Sequence, residues 1–94
     1  MSNDTEDFPK VVAAAIRGED GILYHLPAPA RHEDVRGFMM HIHGQRHPNP
    51  RDEGFLCDDG YWYCRSDAKL FATYHNQLIK KPDGYPDLLS TDVW

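Results

Sequence analysis

Long apolar runs are missing from this sequence. No stretch approaches the roughly 20 apolar residues of a membrane-spanning helix. The acidic start MSNDTED has none of the features of a secretory signal. A cytoplasmic protein without a membrane partner is therefore expected. Cations are also few. Ten Lys and Arg stand against 15 Asp and Glu, a formal net charge of −5. That balance argues against binding duplex nucleic acid, which needs clustered basic residues. It leaves room for a small anionic ligand, which two or three well-placed arginines can hold. Cysteine is limited to Cys57 and Cys64, with no CxxC spacing, so the zinc signal is weak and free thiols are expected in the cytosol. Glycine elbows, phosphate loops and dinucleotide fingerprints are absent from the sequence. Ser66, Ser90 and the two cysteines are nucleophile candidates by residue type alone. The chain is read as a non-enzyme that needs no cofactor.

The 94 residues suffice for one domain. A chain of this size buries only about 60–65% of its unfolded surface, so a homo-oligomer is a reasonable expectation. Residues 1–9 read as a flexible acidic N-terminus and residues 10–94 as a single α+β domain. KVVAAAIR, Lys10 to Arg17, is compatible with helix or strand. Its shortness, and the GEDG–ILYHL sequence after it, favour the first strand of a hairpin. Pro27 and Pro29 close the second strand. Arg31 to His43 predicts a helix, with Val35, Phe38, Met39 and Ile42 on one face and Gly44 as its stop. Gln45 to Glu53, rich in proline and charge, predicts an exposed loop long enough to bind something.

Phe55–Cys57 and Tyr61–Tyr63 form a second hairpin around Asp58-Asp59-Gly60. A second helix follows, capped by Cys64 or Ser66. Its buried face is Ala68, Phe71, Ala72, His75 and Ile79, and Lys80 and Lys81 suit its C-terminal end. PDGYPD, Pro82 to Asp87, is turn-rich. LLSTDVW, Leu88 to Trp94, is too apolar to remain loose and is expected to dock on this protomer or on a partner. The fold expected is α+β: a small antiparallel sheet of two hairpins, two helices and a docked C-terminal tail.

Two constellations can carry chemistry. His41, His43 and His47 crowd one segment, but the first two point about 200° apart on a helix, and Gly44 and Pro48 interrupt any helix joining the last two. No metal site is assigned to them. Arginine interleaved with aromatics is the better constellation. Arg31, Arg65 and Arg36 lie at or near predicted helix starts, where backbone N–H groups favour anions. Phe55, Tyr61, Trp62 and Tyr63 offer flat faces for a nucleobase. The plainer reading makes these rings core and pairs Arg65 with Asp67 or Asp92 at the surface.

The ordered set AAIR (Ala14–Arg17), Gly21, PARHEDV (Pro29–Val35), EGF (Glu53–Phe55), Gly60, Arg65, Ala68, Ala72, Gln77 and the tail Leu89–Trp94 resembles a family of small phage proteins. The resemblance covers about nine tenths of the chain and extends to the Thoeris anti-defence proteins. Those bind a cyclic ADP-ribose isomer made by bacterial TIR enzymes and withhold it uncleaved, as homo-oligomers with pockets built partly between protomers. Two positions depart from the pattern: Thr91, where the family has Glu, and Cys64, where an acidic residue precedes the family's Arg.

The resemblance implies a phage anti-defence protein that sequesters a cyclic nucleotide. It places Arg65 and Arg31 on phosphates, Phe55 or Trp62 on the base, and Gln77 or Asp92 on the ribose. The alternatives are a phage inhibitor that binds a host defence protein directly, such as an anti-CRISPR, and a small metal-binding regulator.

Overall fold

The computed structural model describes residues 8–79 and 85–94. The expectations for residues 1–7, for Lys80 and Lys81 and for the start of the PDGYPD turn lie outside them. Four strands, β1 (Val11–Arg17), β2 (Leu23–Pro27), β3 (Glu53–Cys57) and β4 (Trp62–Tyr63), form one antiparallel sheet in the order β2-β1-β3-β4. Two hairpins thus join edge to edge through β1 and β3, and two helices pack on them: the α+β architecture that the sequence pattern predicts. Gly21 and Gly60 adopt φ of +80° and +88° in the two hairpin turns. In the second, Asp59 accepts from both Tyr61 N and Tyr63 Oη, at 3.1 and 2.6 Å.

Alternation along the strands separates two faces. Ala14, Ile16, Tyr24, Glu53, Phe55 and Tyr63 face the helices, while Ala13, Ala15, Gly54, Leu56 and Trp62 face away. A bulge between Val11 and Ala13 returns Val11 to the helical side. Under α2 (Arg65–Tyr74) and the tail, Val11, Phe55, Phe71, Ala72, Leu88 and Val93 make one core. Ile16, Tyr24, Val35 and Met39 make another under α1 (His32–Gly37). The Trp94 ring touches both, and its Nε1 donates to Ala30 O at 2.8 Å. The tail therefore docks on its own protomer.

Three local expectations are corrected. The first helix changes to a π turn at Phe38–Ile42. The wider turn rotates Ile42 off the buried stripe, leaving it 70% exposed while Val35 and Met39 stay buried. Gly44, with φ +66°, does end it.

The second helix stops at Tyr74, before Ile79. Asn76 takes the left-handed conformation with φ 56°, and Gln77 N donates back to Ala72 O at 2.8 Å. This Schellman closure uses Asn where glycine is the commoner signal. Ile79 is left 65% exposed, and His75 is half-buried at the C-cap. Cys64 holds the N-cap position but makes no side-chain capping bond.

Phe8 is the third. The sequence places it in the flexible N-terminus, but it packs on Phe71 and Tyr74 at ring distances of 5.3 and 5.4 Å.

Candidate anion-binding cleft

Glu53 organises the site. It opens β3 on the helical face, beside Ile16, and is only 6% exposed. A carboxylate this deep needs positive partners. It has two, both on the same oxygen: Arg36 Nη1 of α1 at 2.8 Å and Arg65 Nη2 of α2 at 3.0 Å. Arg65 thus pairs with Glu53, not with Asp67 or Asp92. One carboxylate locks the two helices to the sheet and leaves two guanidiniums sharing a single counter-charge. Arg65 Nε is also buried and has no hydrogen-bond partner among the described residues.

Arg36 and Arg65 line a cleft of about 290 Å³ with Arg31, Glu33 and the tail residues Leu89, Ser90 and Thr91. Arg31 Nη2 donates to the Trp94 main-chain oxygen at 3.2 Å. His32 forms part of the floor and ties the cleft together. Its Nε2 lies 2.6 Å from Gly54 O, an acceptor, so Nε2 carries the proton. Nδ1 is then left to accept from Ser90 Oγ at 3.3 Å, and Ser90 Oγ in turn accepts from His32 N at 3.4 Å. Burial pushes the His32 pKa below its ordinary 6.5. The Gly54 carbonyl opposes that shift and the Arg65 charge reinforces it. A neutral imidazole thus fastens the tail to α1 and β3.

Of the residues expected to contact a ligand, Arg31 and Arg65 come together in this cleft. Arg36, named beside them from its place on the first helix, joins them. Four others are placed elsewhere. Phe55 is fully buried, with its ring against His32 and Trp94, so it has no face to offer a base. Trp62 is on the opposite face of the sheet. It lies flat where Gly54 lacks a Cβ, with the Arg17 guanidinium 3.9 Å above its ring. A Cβ on Gly54 would meet Tyr63 O, and would stand 2.6 Å from the Trp62 ring.

Gln77 is also committed. Its Oε1 accepts from Val11 N at 2.9 Å and its Nε2 donates to Val11 O at 2.7 Å, so the amide extends the ladder beside the β1 bulge. Asp92, 4% exposed, accepts from Leu89 N at 2.8 Å and shapes the 3₁₀ turn Ser90–Asp92. Glu53 and His32, which lie in the EGF and PARHEDV segments, carry no sequence signal of their own as site residues and enter the site only through these contacts.

The thiols of Cys57 and Cys64 are free. Cys57 N bonds to Tyr61 O, so the register sets Cys57 opposite Tyr61 and away from Cys64. Burial pushes the Cys57 pKa up to about 12. His43 packs its ring on Tyr24 and Phe38, and His47 Nδ1 donates to Pro48 O at 3.1 Å. Among the described residues, no three His, Cys, Asp or Glu gather as a metal set. Comparison with protein-family models, with curated proteins and with solved structures finds no match to this chain.

Proposed function

We propose that the protein binds and withholds a phosphate-bearing cyclic nucleotide, with the cyclic ADP-ribose isomers as the leading class. The observation that carries this reading is the convergence of Arg31, Arg36 and Arg65 on one cleft, where a single buried carboxylate is shared by two of them. Guanidinium forks match phosphate oxygens, and the unsatisfied Arg65 Nε gains from an arriving acceptor. The pyrophosphate belongs on these arginines. Phe55 being inside, the base must stack on a group from outside the cleft, and a second protomer is our candidate. The sequence resemblance to the anti-defence proteins supports both the ligand class and the homo-oligomer.

The test is isothermal titration of the purified protein against cyclic nucleotides, including the ADP-ribose isomers. Stoichiometric heat, with intact ligand recovered after denaturation, supports sequestration. Cleaved ligand overturns it in favour of catalysis. Silence across the panel favours direct inhibition of a host protein. That second reading is supported by the apolar side chains of Ile42, Tyr61 and Ile79, which are at least 65% exposed.

A further inference from the structure

The chain has six arginines, and all six are among the described residues. Beside the 290 Å³ cleft lies a second cavity of about 190 Å³, and beyond it a third of about 240 Å³. Arg65 lines both the first and the second. Arg51 lines both the second and the third, where Arg17 and Arg46 join it. Neighbouring cavities thus share a lining arginine, and every arginine of the protein lines at least one of them: Arg31, Arg36, Arg65, Arg51, Arg46 and Arg17. Of the described lysines, Lys10 and Lys69, neither lines any of the three.

The track is only partly neutralised. Glu53 is shared by Arg36 and Arg65, and Asp52 pairs with Arg17 at 3.0 Å. Arg31 reaches only a main-chain oxygen, and Arg46 and Arg51 make no ion pair among the described residues. Glu19, Glu33 and Asp87 also line the cavities and limit the net charge. Even so, six guanidiniums along the track stand against five carboxylates, an excess of one in a protein of net charge −5. No Phe, Tyr or Trp lines any of the three cavities, so a ligand there is read by its phosphates and not by its bases.

We propose that this track binds a linear chain of phosphates, the backbone of a short single-stranded oligonucleotide or of inorganic polyphosphate. The activity goes beyond sequestration of a cyclic nucleotide, because a compact ring cannot occupy three successive cavities. Arginine, with its planar fork, suits successive phosphates better than lysine. The contact is with the backbone, so it is indifferent to base sequence.

The test is fluorescence anisotropy with a labelled oligothymidylate of about 10 nucleotides, within the span of small single-strand sites. Unlabelled pyrophosphate, tripolyphosphate and long-chain polyphosphate serve as competitors. The proposal expects competition to strengthen with phosphate number. It also expects affinity to fall with salt, and the doubly substituted Arg46→Ala/Arg51→Ala protein to bind about 10-fold more weakly with a salt slope lower by about 1.4. Both residues are exposed, so an unchanged melting temperature confirms that the variant is folded. Lys10→Ala, off the track, should bind normally. Tight binding of polyphosphate but not of the oligonucleotide, or the reverse, identifies the source. Competition by pyrophosphate as strong as by the longer chains overturns the track, as does unchanged binding in the double variant. Failure of the cyclic-nucleotide titration leaves this result independent, since Arg46 and Arg51 lie outside the first cleft.

Discussion

Arg65 and Glu53, one at the start of α2 and the other at the start of β3, meet through a hydrogen bond of 3.0 Å. The contact bears on the structure and on the proposed ligand site together. It anchors a buried carboxylate and aims a guanidinium into the cleft. Arg65→Ala is expected to weaken phosphate-ligand binding by at least about 10-fold, since charge-assisted bonds are worth roughly 1.5–3 kcal/mol. It should also lower stability by about 1–3 kcal/mol, because Arg36 remains to hold Glu53. Titration calorimetry and urea denaturation on one preparation measure both effects. Combining it with Glu53→Gln should recover part of the stability and none of the binding.

Gln77 and Val11 supply a prediction about the fold alone. Gln77→Ala strands both main-chain polar groups of Val11 beside the bulge. A loss of about 1–3 kcal/mol is expected in chemical denaturation, with ligand affinity unchanged. A large loss of affinity at full stability would instead make Gln77 a ligand contact.

His32 predicts a pH dependence. Its folded-state pKa lies below the ordinary 6.5 because it is buried. Below pH 6.5 the unfolded chain therefore binds more protons than the folded one, and stability falls as pH drops. The loss ends once pH passes below the folded-state value. In His32→Gln that part of the slope should vanish from denaturation curves taken at successive pH values. The variant should also be less stable at pH 8, by about 1–3 kcal/mol, for its lost bonds to Gly54 and Ser90.

The two cysteines should separate kinetically. Cys57 is 1% exposed and its thiol is pushed up to about 12. Cys64 is half-exposed, with Sγ 3.2 Å from Ser66 Oγ. A chromogenic disulfide reagent at pH 8 should titrate one thiol promptly and the second only on unfolding. Two equally fast thiols would place Cys57 at the surface.

Much of this protein is legible in the order of its residues. VVAAAIR before GEDG, and EGFLC before DDG, state two hairpins, because strand alternation and a glycine able to take positive φ are local properties. The apolar tail had to be buried somewhere, and Leu88 and Val93 are buried, with Trp94 partly buried against the same core. Arg31, Arg36 and Arg65 could be singled out as a set because each lies at or near a helix start that the sequence pattern predicts.

The partners of those residues were settled by tertiary contacts. Whether Phe55 or Trp62 faces the helices depends on strand register, and a shift of one residue exchanges them. The π turn that frees Ile42, and the left-handed Asn76 that ends α2 and turns Gln77 toward Val11, are backbone choices that a residue's own propensity does not dictate. Glu53 reads in the sequence as one acid among 15. It becomes the centre of the site only when two helices from opposite sides of β3 in the chain bring Arg36 and Arg65 to the same oxygen. Local pattern is written in neighbours along the chain. A buried charge acquires its role from residues far from it in sequence, and only the folded packing brings those together.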